Sequence, residues 1–172
     1  MKILTLMCCL FSLAQTAVAS EIHLASHCDT TYRFPKHESV FLVKPNNASS
    51  AEERDLPVIR ESLIKAGFNL VDSATDARRY VTYYIRTGRA INFTTKIGRS
   101  VVEKRVDSNF TSVTLAMFDA SKHNSKEQKM IWQAILDAPD KDYEKAATDL
   151  VSRLLKLYGK NKIKSESFKP PK

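Results

Sequence analysis

The chain has 172 residues, with 27 Lys and Arg against 19 Asp and Glu, a formal charge of +8, three cysteines and four glycines. That length builds one domain with a real core and is short for two. The scattered Gly67, Gly88, Gly98 and Gly159 make no phosphate-cradling loop and no Gly-x-Ser-x-Gly elbow is present, which argues against nucleotide enzymes and serine hydrolases.

Lys2 is followed by an uncharged, mostly apolar run over residues 3–13 and then by Ala17-Val18-Ala19, the small-x-small pattern after which a signal peptidase cuts. Residues 1–19 therefore read as a signal peptide, and the mature chain begins at Ser20 in the periplasm or outside the cell. A membrane anchor fits less well, because residues 3–20 barely reach bilayer length and Ser12, Gln15, Thr16 and Ser20 dilute them. Lipidation of Cys8 or Cys9 would want small residues where Leu6-Met7 stand. With the leader gone only Cys28 remains, so no internal disulfide can form. Three readings of Cys28 stay open: a buried small hydrophobe, the handle of an intermolecular disulfide that would make a homodimer, or a reactive thiol.

Residues 22–34 form a first strand or an irregular arm, with Ile22 and Leu24 alternating against His23 and Ala25. Residues 39–44, β-branched and aromatic between Pro35 and Pro45, read as a central strand buried on both faces. Ser50 and Glu53 have capping-box spacing, and Pro57 is tolerable only in a first turn. The helix they open stacks Leu56, Ile59, Leu63 and Ala66 on one face and ends at Gly67. Residues 68–71 resume as a strand, so 39–71 make a β-α-β unit with parallel strands.

Residues 79–86 alternate Val81, Tyr83 and Ile85, the expected core face, with Tyr80, Thr82, Tyr84 and Arg86. Residues 92–109 are assigned an extended arm and an edge strand. Strands over 112–119 and 130–137 follow, separated by a polar loop at 121–129; the second carries Trp132, the only tryptophan. Residues 142–158 form an amphipathic helix with an apolar stripe of Ala146, Ala147, Leu150, Val151, Leu154, Leu155 and Tyr158, capped by Gly159. The order β-α-β-β-β-β-α predicts an α+β fold: one domain over 20–159 with a mixed sheet and both helices packed on one face. Residues 160–172, where Lys160, Lys162, Lys164, Lys169 and Lys172 stand against Glu166, hold half of the net charge and read as a basic flexible tail.

Helix residues Leu63 to Gly67-Phe68, the Ala74 to Ala77 turn before an aromatic strand, the Ile131-Trp132-Gln133-Ala134 strand and the closing Leu150-Val151 to Leu154-Leu155 helix together resemble a class of small Gram-negative envelope proteins and lipoproteins of unknown function. Their α/β domain is similar to the amino-terminal domain of the translocation protein TolB and to curli-secretion components. What the resemblance implies, over about residues 40–159, is an envelope accessory domain with no known chemistry. Most such relatives carry a lipid-anchoring cysteine that this chain lacks.

Candidate chemistry is sparse. His23, His27, Cys28 and His37 are the nearest approach to a metal cluster, yet no CxxC accompanies them and the HxxxH of His23 and His27 encloses no glutamate. A Cys28 nucleophile would need His37 or His123 as its base. Glu52-Glu53 and Asp140 with Asp142 stand at helix starts, where capping explains them. The patch with a functional look is Arg78, Arg79, Tyr80, Tyr84, Arg86 and Arg89, continuing through Lys96, Arg99, Lys104 and Arg105 with Phe93 and Phe110; Lys160, Lys162 and Lys164 form a second basic surface. Asn47, Asn92 and Asn109 open glycosylation sequons that matter only in a eukaryote. The expectation is an exported envelope accessory or adaptor domain that binds a protein or an anionic glycan or lipid surface noncovalently, without nucleic acid or cofactor. The alternative is a secreted metal-binding or cysteine-dependent enzyme built on His23, His27 and Cys28.

Overall fold

The computed structural model describes residues 20–35, 37–90, 93–97, 100–104, 108–120 and 129–170. The predicted signal peptide, Cys8, Cys9, His123 and nearly all of the predicted 121–129 loop lie outside them. The described elements are, in chain order, β1 (Ser20–Cys28), β2 (Ser39–Val43), α1 (Ser50–Lys65), β3 (Asn69–Leu70), β4 (Arg79–Ala90), β5 (Phe93–Ile97), β6 (Ser100–Lys104), β7 (Ser108–Asp119), β8 (Met130–Pro139), α2 (Asp140–Leu155) and β9 (Lys162–Phe168). Seven strands form one mixed sheet in the order β3-β2-β4-β7-β8-β1-β9. β2 runs parallel to β3 and β4, and the remaining pairs are antiparallel. The fold is α+β, with both helices packed against each other and on the sheet.

Strand alternation builds the core in rows. Val81 stands opposite Met117, Met117 opposite Trp132 and Trp132 opposite Cys28; two rows along the same face, Ile85, Val113, Leu136 and Leu24 line up likewise. All eight are buried beneath the helices. From α2, Tyr143, Ala146, Leu150, Val151, Leu154 and Leu155 close the layer, as the stripe predicts apart from Tyr143. Ala146 leaves helical geometry at φ −143° and ψ 31°, kinking α2.

The cap of α1 falls one residue earlier than expected. Ser49, not Ser50, is the N-cap, and the Glu52 carboxylate accepts from the Ser49 backbone N–H at 2.7 Å while Ser49 Oγ accepts from Glu52 N. Both pairs share the three-residue spacing, and burial selects between them: Glu52 is buried, whereas Glu53 points outward to Lys44. Pro57 consequently lies inside the helix rather than in its first turn, where it removes one backbone hydrogen bond on an exposed face. Gly67, at φ 93°, ends the helix as predicted, with Gly67 N donating to Ile64 O and Phe68 N to Leu63 O.

Three expectations are corrected. β2 is not a central strand buried on both faces: it lies next to the edge and only Val40 is fully buried, because the helices cover one face of the sheet. Residues 93–97 and 100–104 pair antiparallel as β5 and β6 instead of forming an arm and edge strand, and β5 approaches β1. The supposed flexible tail is, over Lys162–Phe168, the edge strand β9, pinned to β1 from Ser20↔Phe168 to Ser26↔Lys162. Phe168, 1% exposed, supplies the burial that holds it.

Candidate functional site

The predicted basic patch divides into residues that build the fold and residues that face solvent. Arg79 belongs to the first group. Its guanidinium stands 2.9 Å from Glu38 and 3.2 Å from Asp119, with side-chain exposures of 14%, 3% and 12%. Tyr158 Oη donates to Glu38 Oε2 at 2.5 Å, tying the end of α2 into the same network. Burial, then the neighbouring Glu38 carboxylate, pushes the Tyr158 hydroxyl far above its ordinary pKa, so it remains a donor. Tyr80 is buried too, its hydroxyl donating to Ala74 O at 3.1 Å and its ring meeting Phe41 edge-on.

The second group lies farther along β4. Tyr84 is 56% exposed, and Arg86 and Arg89 are exposed, with no ion pair to another described residue. Tyr84 and Arg86 share the parity of Thr82, on the face opposite the helices, because Val81, Tyr83 and Ile85 take the other. Arg78 is exposed as well, at the opposite end of the strand, where its backbone N–H donates to Ser39.

The lysines occupy the far edge of the sheet. Lys160 is exposed and its ammonium donates to Lys156 O; Lys162 is exposed; Lys164 pairs with Glu166, which also receives Arg153 at 3.1 Å. These cations, led by Lys164, hold Glu166 below the usual carboxylate range. Four strand spacings, about 19 Å, separate β9 from β4, so the lysines and the exposed β4 residues are different surfaces, and on β4 the same alternation sets Arg89 on the face opposite to Tyr84 and Arg86.

The His23, His27 and Cys28 set does not converge. All three lie on β1, where alternation turns Cys28 into the helix-covered face and His27 to the other, and a four-residue step parts His23 from His27 by about 13 Å. His23 instead binds Ser165 Oγ through Nδ1 at 2.6 Å. Among the described residues no group of three or more His, Cys, Asp or Glu is arranged to hold a metal ion. Cys28 is 5% exposed, and burial, then Asp29, raises its thiol, which leaves little thiolate for attack. A cleft of about 420 Å³ opens beside it between Asp29, Met130, Gln133 and Asn161, whose Oδ1 accepts from the Cys28 backbone N–H at 2.7 Å. Lys129 bridges to Asp29 at its rim and, with Thr31, keeps that carboxyl far below its ordinary range.

Sequence reasoning missed Glu38 and Asp119, whose acidity makes Arg79 structural, and missed β9. The signal for β9 was available: Lys162, Lys164, Glu166 and Phe168 alternate with Ile163, Ser165 and Ser167. For Glu38 the chain offers no local cue, since its partner Arg79 is 41 residues away.

No family model matches the chain, and no curated protein does. Three solved structures are similar to it in differing degrees. A PelC dodecamer from Paraburkholderia phytofirmans is 13% identical with a TM-score of 0.50, over 78% of this chain and 94% of its own. A PDZ domain protein from Parabacteroides distasonis is 9% identical with a TM-score of 0.52, over 86% of this chain; the match spans only 40% of that longer protein. A DUF4136 family protein from Bacteroides thetaiotaomicron is 11% identical with a TM-score of 0.48, over 77% and 91%. At such identities the first two establish an architecture found in bacteria and nothing of activity. No helix among the described residues is long and apolar enough to cross a membrane.

Proposed function

We propose that the chain is an exported envelope accessory domain that acts by noncovalent binding of a protein or an anionic glycan or lipid surface. The observation that carries this reading is the solvent-facing part of β4. There a half-exposed tyrosine ring and two guanidiniums stand free of acidic partners among the described residues, on a strand whose Val81, Tyr83 and Ile85 are committed to the core. Guanidiniums pair bidentately with carboxylate and phosphate, and a tyrosine ring offers apolar area with a polar tip, a combination suited to anionic or glycan surfaces. The leader over residues 1–19 supplies the compartment, which makes nucleic acid a poor partner. The resemblance to the TolB amino-terminal domain points the same way. Enzymatic chemistry on His23, His27 and Cys28 has no supporting geometry.

Two measurements test the reading. Fractionation with amino-terminal sequencing should find a product starting at Ser20 outside the cytosol. The purified product should bind phosphatidylglycerol vesicles or an acidic glycan in preference to neutral ones, and Arg86→Glu with Arg89→Glu should weaken binding at least about tenfold with the melting temperature unchanged. Retention of Met1, or binding indifferent to both arginines, overturns it.

A further inference from the structure

The sheet has two edges of different kinds. β3 offers two residues, whereas β9 offers seven, of which one side is paired to β1 and the other meets no described strand. Edges of that length are usually blunted by a proline, a bulge, a covering segment or charged side chains, lysine above all, and of these β9 carries the charges alone, Lys162, Lys164 and Glu166. Between Lys162 and Phe168 there is no proline, and the pairing with β1 is unbroken by a bulge. Lys162, Ile163, Ser165 and Ser167 are exposed, Ile163 at 54%.

We propose that β9 is a homodimerisation edge: two copies pair antiparallel about a two-fold axis through Ser165, joining their seven-stranded sheets. Charge complementarity selects both the occupant and the register. With Ser165 opposite its own copy, Lys164 faces Glu166 of the partner subunit and Glu166 faces Lys164 of the partner subunit, while Ile163 meets Ser167 of the partner subunit. Moving the axis to residue 164 pairs Lys162 with Glu166 but sets two lysines against each other at its centre, and moving it to 166 sets two glutamates together. Placing it at 163 opposes Lys162 and Lys164. Shifts by one residue pair no lysine with a glutamate and send the helices of the two copies to opposite faces. The chosen register therefore gains two opposite-charge cross-strand pairs and no like-charge pair. Lys164 and Glu166 are 29% and 25% exposed, beside Arg153, so their attraction is less screened than that of a fully solvated pair. A two-fold interface is self-complementary by construction, and the segment Lys164-Ser165-Glu166 has that property within three residues.

Sedimentation velocity on the processed protein, from micromolar to about 1 mM, should show a concentration-dependent dimer. Lys164→Glu and Glu166→Lys each place like charges opposite one another at both positions, and each should weaken association at least about tenfold. An equimolar mixture of the two variants restores opposite charges at both positions and should dimerise again. Because Glu166→Lys also faces Arg153, a second readout is independent of it: Ser165→Cys should form a disulfide-linked dimer under mild oxidant, whereas Ser167→Cys, which meets position 163, should not. A wild-type protein that stays monomeric at about 1 mM, an assembly indifferent to both reversals, or equal cross-linking at 165 and 167 overturns the proposal. These results leave the β4 binding reading untouched, since its vesicle and glycan assay does not depend on β9.

Discussion

Replacing Arg79 with Leu separates a structural arginine from a binding one. The substitution keeps an apolar stem on β4 and removes the guanidinium, which leaves Glu38, 3% exposed, with only the Tyr158 hydroxyl for its carboxylate, and Asp119 without its ion pair to Arg79. Breaking a buried pair from one side costs about 3–5 kcal/mol, against a total stability of about 5–15 kcal/mol for such a domain. For a chain of this size the loss corresponds to a fall in Tm of about 10 °C. Urea unfolding followed by Trp132 fluorescence should show this gap between wild type and variant, and Glu38→Gln in the variant background should recover part of it, because it removes the unpaired buried charge. A loss below about 1 kcal/mol, or no recovery with Glu38→Gln, refutes the reasoning and returns Arg79 to the ligand-binding surface.

Gly159→Ala should destabilise by at least about 2 kcal/mol, because φ is 69° and an added Cβ would stand 2.7 Å from Phe34 Cβ; Gly88→Ala, with open space around it, should stay within about 0.5 kcal/mol in the same denaturation assay. Phe168→Ala should cost about 3–5 kcal/mol and expose the β1–β9 ladder to hydrogen exchange, an outcome a free tail would not give. Asp29, Glu61 and Glu166 all have carboxyl groups held below their ordinary range, chiefly by bonded lysines. Lowered carboxylate values contribute stability that is present above the unfolded pKa and lost as pH falls through the folded one, so Tm should decline steadily below about pH 4.

Periodicity made most of the frame legible. Val81, Tyr83 and Ile85 alternate over a long enough run to declare their face, Val113, Leu115 and Met117 do the same, and Gly67 after Leu63 marks a helix end that needs positive φ. What failed were judgements that local composition cannot make. Residues 162–168 carry so many lysines that their period-two pattern was outweighed, and only pairing with β1 and the burial of Phe168 show that they fold. Val40 to Val43 read as doubly buried because all four are apolar, yet which face a helix covers is decided by topology. In the candidate site, Tyr84 and Arg86 were identifiable by type, while the loss of Arg79 and Tyr80 to the interior depended on Glu38, Asp119 and Ala74, which the chain brings there from other segments.

Ser20 stands directly across the ladder from Phe168, so the start of β1 and the end of β9 are within about 5 Å of each other at their Cα atoms. An affinity handle or fluorescent fusion attached beyond either position emerges at the same corner, beside the open side of β9, and a bulky one would shield that side whichever position carried it. The same closeness makes the fold a candidate for circular permutation: a linker of a few residues joins Phe168 to Ser20, and new ends can be opened at an exposed turn such as Asn46-Asn47 without severing a strand.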